Sequence, residues 1–350
     1  MSEQDTINQL AAIMQPLERW GAMPGVEEIC INRPNEVFVR KDGKWDRHDV
    51  EMDYDDCYDL AILAAAIRRQ TIGDNAPLVG ADIPFCGATQ RLQAVLPPAV
   101  PGGTVSLTVR RFETKVSPTS KIKERYDTSR WNKWGARNEA KQADFTDALW
   151  VYDSGDIEKF FDVCVCLPLN IILVGSTGAG KTTLARSLLT MVDMNERIIT
   201  IEDALELVVP HQNSVRMLYS KGGLSGDAVT AKDLVEASLR MRPDRILLQE
   251  IRDGEAAYVF VNETLTGHRG CMTTTHGDSA AGGFKRMFTL VQGSEEGRAY
   301  GKDTICDILE SAIDVIIPLR NDGGLYSVRE VWFGPDAWRR GESLRSLMGE

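Results

Sequence analysis

Apolar residues fall at Leu60, Leu63, Ala64 and Ile67, and this i, i+3, i+4, i+7 spacing predicts a helix over residues 59–69. Elsewhere in the first 112 residues the period shortens. Val37-Phe38-Val39, Arg91 to Leu96 and Val105 to Phe112 are β-branched or aromatic runs bounded by Pro and Gly, as strands are. Strands with an isolated helix and no regular alternation predict an α+β domain over 1–112. After residue 160 apolar runs alternate with helical segments. The runs are Asn170 to Val174, Arg197 to Ile201, Arg245 to Leu248 and Cys271 to Thr275; the helices include 182–192 and 233–240. This is the pattern of a parallel sheet with helices on both faces.

Between these two patterns, over 113–155, apolar periodicity is weak. From Lys115 to Phe145 there are eight Lys/Arg against four Asp/Glu, with Trp131 and Trp134 among them. The segment reads as a linker or insertion, with a short helix as one option. A solvated spacer is the plain account of it. The other is an interaction surface for an anionic membrane or partner, since clustered basic and aromatic residues suit an interface.

Composition narrows the class. A hydrophobic content of 43% with 26% charged residues is that of a globular protein of about two domains at 350 residues. The net charge of -11 argues against an exterior that grips nucleic acid over its whole surface. The first ten residues, MSEQDTINQL, are acidic where a secretory signal is basic and then apolar, and no run approaches the length of a membrane span. The chain is therefore expected to be cytosolic or peripherally attached. Seven scattered cysteines (Cys30, Cys57, Cys86, Cys164, Cys166, Cys271 and Cys306) predict buried free thiols rather than a metal or disulfide framework.

The strongest chemical signal is Gly175-Ser176-Thr177-Gly178-Ala179-Gly180-Lys181-Thr182, a complete G-x-x-x-x-G-K-[ST] between an apolar strand and a helix-forming stretch that begins at Thr183. Glycines let backbone N–H groups turn inward around phosphate oxygens, and the helix N-terminus adds partial positive charge. Lys181 is expected to reach the β- and γ-phosphates of ATP, and the Thr182 hydroxyl to hold Mg²⁺. Gly175 through Thr183 are the candidate nucleotide-binding residues. The predicted fold class is α/β: a RecA-like P-loop NTPase domain over 156–350 with a smaller α+β N-terminal domain.

Hydrolysis needs more than phosphate binding: an acid on the metal side and a group that orients the attacking water. Two carboxylates follow apolar runs, Glu202 after Ile198 to Ile201 and Glu250 after Ile246 to Gln249. Strand ends of such a sheet are where ligands bind. His276 ends the hydroxyl-rich run Met272-Thr273-Thr274-Thr275, where an imidazole would lie near a γ-phosphate; a structural histidine is the alternative.

The order of P-loop, Glu202-Asp203, Arg242 to Arg252 and Thr266 to His276 resembles the secretion-superfamily ATPases of type II secretion, type IV pili and type IV secretion with conjugation. There the four elements are the Walker A motif, the Asp box, the Walker B motif and the His box. The resemblance is strong over about 160–335 and weaker over Gly25 to Asn32 and Val105 to Phe112. The compact length and the lack of a four-cysteine insertion are most similar to the traffic ATPases of type IV secretion and conjugation. The resemblance implies a homohexameric ring, nucleotide held between the two domains, inner-membrane secretion subunits as partners, and a cytoplasmic position at the inner membrane. It implies that Glu250, with Thr182, coordinates the metal and that Glu202 and Glu250 activate water. His276 would sense the γ-phosphate, and Arg110, Arg111 and Arg240 would neutralise charge on it. The family usually has Gly before the Walker B glutamate; here Gln249 stands there, where it would crowd the site or contact the nucleotide. Alternatives are a type II secretion or type IV pilus motor, a nucleic-acid motor (with nucleic acid at most a transient partner), and a nucleotide-gated scaffold with negligible turnover.

Overall fold

The computed structural model describes residues 2–112, 145–219 and 229–345. The N-terminal part opens with helices α1 (Glu3–Met14) and α2 (Glu18–Gly21), followed by strands β1 (Val26–Ile31), β2 (Glu36–Lys41) and β3 (Lys44–Asp49). Helix α3 (Tyr54–Ile67) then leads to β4 (Leu78–Phe85), β5 (Ala88–Val95) and β6 (Ser106–Arg110). The six strands form one antiparallel sheet in the order β3-β2-β1-β6-β5-β4. Helices α1 and α3 cover it, burying Leu10, Met14, Leu60 and Ala64 against Ile29, Val39, Ile83 and Leu92. Helix α3 begins five residues before the predicted start. Asp53 and Asp56 exchange side-chain-to-backbone hydrogen bonds there, a capping box that satisfies the first N–H groups without any apolar signal.

The second part starts with α4 (Thr146–Ser154) and α5 (Ile157–Cys166), then β7 (Ile171–Val174), α6 (Lys181–Met191), β8 (Ile198–Glu202) and β9 (Ser214–Leu218). Next come α7 (Ala231–Ser238), β10 (Arg245–Leu248), α8 (Gly254–Leu265), β11 (Met272–Thr275), α9 (Ala280–Gly293) and α10 (Lys302–Ala312). The hairpin β12 (Val315–Asp322) and β13 (Leu325–Val328), the short β14 (Trp332–Phe333) and α11 (Gly334–Arg339) complete it. The sheet order is β13-β12-β7-β11-β10-β8-β9, parallel from β12 to β9. Successive residues point to opposite faces. Ile172, Val174, Ile199, Ile201, Ile246 and Leu248 therefore enter one apolar core, while Ile171, Leu173, Ile198 and Leu247 enter another. Both faces are dry, which is why these strands read as unbroken apolar runs.

Phe145, Ala148 and Val151 of the α4 region are buried in the second of these cores, although the sequence pattern puts residues 145–155 within the linker. The rest of that segment, 113–144, with its basic and aromatic cluster, lies outside the described residues. All seven cysteines are free thiols as expected, but Cys86 and Cys166 are exposed rather than buried. Among the described residues no helix is long and apolar enough to cross a membrane.

The two parts meet through a buried polar joint. Arg197, at the start of β8 and fully buried, donates to Asn32 Oδ1 at 2.7 Å, Asn213 Oδ1 at 2.6 Å and the Met241 carbonyl at 2.9 Å. Asp244 pairs with Arg40 at 3.3 Å and accepts from Trp45 Nε1 at 2.9 Å. Val95, Ala99 and Val100, from the end of β5 and the loop that follows it, enter the apolar core of the second sheet. The antiparallel sheet is thus held at the edge of the parallel one by buried hydrogen bonds and an ion pair whose groups would be costly to bury alone.

Candidate functional site

The P-loop connects the end of β7 to the start of α6 at the C-terminal edge of the parallel strands. A Cβ at Gly175 would lie 2.8 Å from the Leu319 carbonyl oxygen of β12, so the loop can run this close to its neighbour only with glycine. Gly180 has φ +91°, a left-handed conformation that turns the chain into the helix. Helices α1, α3 and α7 each begin with a side-chain cap, from Ser2, Asp53 and Thr230, whereas α6 has none. Its first N–H groups are left for an anion. The Lys181 amine is buried in the bowl of the loop, donating to the Gly175 carbonyl at 2.6 Å and the Ser176 carbonyl at 3.0 Å. Burial lowers its pKa from the ordinary lysine value, against the opposing pull of the nearby Glu250 charge. Ser176, Thr177, Gly178 and Thr183 are exposed around it, Thr182 is half-buried, and Ala179 is packed inward.

Glu250 lies two residues beyond β10, facing this bowl. Its Oε2 accepts from Arg252 at 2.6 Å, and its Oε1 lies 2.7 Å from His276 Nε2 without the angle of a hydrogen bond. Oε1 is therefore a buried carboxylate oxygen with no hydrogen-bond donor. Burial pushes the Glu250 pKa up, but the bond and charge of Arg252, with His276 and Lys181 behind, outweigh it and hold the group below the usual glutamate value. Arg252 also binds Asp203 at 2.5 Å, bridging the two acidic motifs. The side-chain oxygen of Gln249 accepts the Asp203 N–H at 3.1 Å and fastens one strand end to the next.

Glu202 does not join this group. It is completely buried, and both oxygens are committed. Oε1 accepts from Thr200 at 2.8 Å and Arg216 at 3.1 Å, while Oε2 accepts from the Glu206 and Leu207 N–H groups at 2.8 Å each and from Arg216 at 3.1 Å. The side chain folds the 203–207 loop. That loop delivers Glu206, which receives the Thr182 hydroxyl at 3.5 Å and whose carbonyl is bound by Arg186. Sequence reasoning missed both Glu206 and Arg252. Neither ends an apolar run, and only their charge, within four residues of Glu202 or Glu250, marked them.

Of the three candidate arginines, Arg110 and Arg111 have partners within their own sheet. Arg110 is over half exposed and pairs with the buried Glu28 at 3.7 Å across β1 and β6. Arg111 points the other way and donates to the Met23 and Val26 carbonyls at 2.7 and 3.2 Å, which ties down its own sheet. Arg240 is exposed past the end of α7, with its guanidinium 3.5 Å from where a Cβ on Gly80 of β4 would stand.

A parallel sheet with a P-loop at its C-terminal edge and a carboxylate past the end of β10, one strand removed from β7, defines a P-loop ATPase, and residues 153–320 match the family described as Type II/IV secretion system protein. The chain is 46% identical over 342 residues to Protein VirB11 of Rhizobium radiobacter, covering 98% of both chains. It is 35% identical to the type IV secretion system protein VirB11 of Bartonella quintana, over 95% of this chain and 94% of that one. The crystal structure of the VirB11 ATPase from the Brucella suis type IV secretion system, in complex with sulphate, superposes with a TM-score of 0.85 at 30% identity over 99% of each chain. The chain belongs to the VirB11 family of type IV secretion ATPases.

Proposed function

We propose that the chain is a Mg²⁺-dependent ATP-hydrolysing motor of a type IV secretion machine, with catalysis centred on Lys181, Thr182, Glu250 and His276. The observation that carries this reading is the buried Lys181 amine inside the loop, facing a Glu250 whose Oε1 has no donor. An anion entering the loop would take over the amine from the two carbonyls and gain the uncapped N–H groups of α6. The Brucella suis VirB11 ATPase is in complex with sulphate, an anion of this kind.

The residues fit Mg²⁺. Among the described residues no three metal-binding side chains gather. Mg²⁺ bound with a nucleotide needs only one or two protein oxygens beside phosphate and water, and the Thr182 hydroxyl and the Glu250 carboxylate would supply them. When bound, the ion would neutralise charge on the β- and γ-phosphates. Lys181 would hold the γ-phosphate as a point charge, Glu250 would accept the proton of the attacking water, and His276 would orient that carboxylate. Arg110 keeps its place as the arginine offered from the N-terminal sheet; Arg111 is already committed to backbone carbonyls. The domains assigned to this work are 1–112 and the P-loop domain that follows the linker. Closure of one onto the other would couple nucleotide state to movement within a homohexameric ring at the cytoplasmic face of the inner membrane.

Size-exclusion fractions assayed for phosphate release, with and without EDTA, test this reading. Activity should follow the mass of a hexamer and vanish on chelation. Activity that peaks with monomer, or that survives EDTA, would contradict it.

A further inference from the structure

The β12–β13 hairpin is fastened to the P-loop at several points. Leu319 of β12 brings its carbonyl against Gly175, and Asn321 donates its side-chain amide to the Gly178 carbonyl at 3.1 Å. The Asn321 oxygen accepts the Gly324 N–H at 2.8 Å, so the same side chain fixes the hairpin turn and the crest of the loop. Directly across the ladder from Asn321 stands Tyr326. Its ring edge lies at the loop's last glycine, with Cδ1 and Cε1 at 3.0 and 3.3 Å from where a Cβ on Gly180 would be. Yet 61% of Tyr326 is exposed, a large aromatic surface left uncovered beside the one residue that separates the phosphate loop from its helix.

A nucleotide whose phosphates lie on the Gly178 to Thr182 backbone must send its ribose and base out of the loop, and a ring fixed beside Gly180 is within reach of them. We propose that Tyr326 is the platform on which the base of the bound nucleotide stacks. This rests on the reading that the P-loop binds the triphosphate. Stacking on an aromatic face is worth about 1–3 kcal/mol per base and is tolerant of base identity, because every base presents a π-face. The hairpin therefore selects for a nucleotide over bare polyphosphate, with little distinction between ATP and GTP. The Gly180 contact also makes the platform depend on glycine at that position: a side chain there would displace the ring.

The test is equilibrium binding to the full-length chain, by calorimetry, of ATP, GTP and inorganic tripolyphosphate. Wild type, Tyr326→Ala and Tyr326→Trp are compared. Tyr326→Ala should weaken ATP and GTP by about 5- to 150-fold, the range that such stacking energies span, and leave tripolyphosphate unchanged. Tyr326→Trp should bind both nucleotides as well as wild type, which separates loss of the platform from loss of the fold. Equal weakening of ATP and tripolyphosphate in Tyr326→Ala would make the tyrosine a prop for the loop and overturn the proposal. So would unchanged ATP affinity. Wild-type protein that binds neither ATP nor tripolyphosphate would instead sink the P-loop reading on which the proposal stands.

Discussion

Replacing Glu202 with Gln separates a structural carboxylate from a catalytic one. In the native chain five donors converge on two buried oxygens: the Thr200 hydroxyl, two backbone N–H groups and two nitrogens of Arg216. A glutamine offers one oxygen and one NH₂. If its oxygen takes the place of Oε2, with the two N–H groups and one Arg216 nitrogen, its NH₂ faces the Thr200 hydroxyl and the other Arg216 nitrogen. The threonine can rotate to accept, but the guanidinium cannot, so one donor faces another and Arg216 loses its counter-charge. Breaking a fully buried pair by removing one partner costs about 3–5 kcal/mol. Arg216 is 30% exposed, so water recovers part of this, and about 3 kcal/mol is the expected loss. At about 2–4 °C per kcal/mol for a domain of this size, the melting midpoint should fall by about 6–12 °C. Differential scanning fluorimetry reads the midpoint, and phosphate release at 20 °C reads turnover of the folded protein, which should fall by less than about tenfold. Unchanged melting together with a loss of turnover of about 10² or more, the size expected for a catalytic group, would refute the argument and return Glu202 to the chemistry.

Glu28 lies buried between the two sheets, and burial raises its pKa to about 7, only partly opposed by Arg110, Arg242, Arg197 and Arg40. The folded chain therefore holds this proton more tightly than the unfolded one. Glu28 thus removes stability as pH rises from the unfolded value near 4.5 to about 7, by about 3 kcal/mol in total. Glu28→Gln should flatten that part of the urea-stability profile, and an identical slope in wild type and mutant would place the carboxylate in water. Lys181→Ala removes the buried amine from the loop and should abolish steady-state turnover, because the γ-phosphate loses its main point charge. Hydrolysis at the wild-type rate in that mutant, measured by phosphate release, would detach the activity from this loop.

Four strands of the parallel sheet were legible because both of their faces are dry. In β7, β8 and β10 the aliphatic runs Ile171 to Val174, Ile198-Ile199 and Ile246 to Leu248 meet no polar residue facing water. The same logic hid β3, whose Lys44-Trp45-Asp46-Arg47-His48-Asp49 is largely exposed at the sheet edge. Its one local sign is Asp42-Gly43, both at positive φ, the turn that a two-residue hairpin uses. Strand β9 was hidden because Arg216 interrupts it in order to meet Glu202. At the site, the P-loop was readable since its spacing is its mechanism. A carboxylate at a strand end looks the same in the sequence whether it faces the nucleotide or, as Glu202 does in this structure, folds the loop behind it. Glu206 and Arg252 depend on how the 203–207 loop folds, and that fold is set by a long-range pair between Glu202 and Arg216, fourteen residues apart. The buried joint around Arg197 and Asp244 joins residues separated by as many as 204 positions and leaves no periodic trace.

We assign the carboxylate for hydrolysis beside the Lys181 bowl to Glu250 rather than Glu202. Phosphate release by Glu250→Gln, with ATP binding followed in the same preparation, tests it most directly. The amide keeps the size of the side chain and gives up the proton-accepting oxygen that lies 2.7 Å from His276. The mutant should bind ATP with near-wild-type affinity and hydrolyse it slower by about 10² or more. Turnover close to wild type in a mutant that binds ATP normally would contradict it.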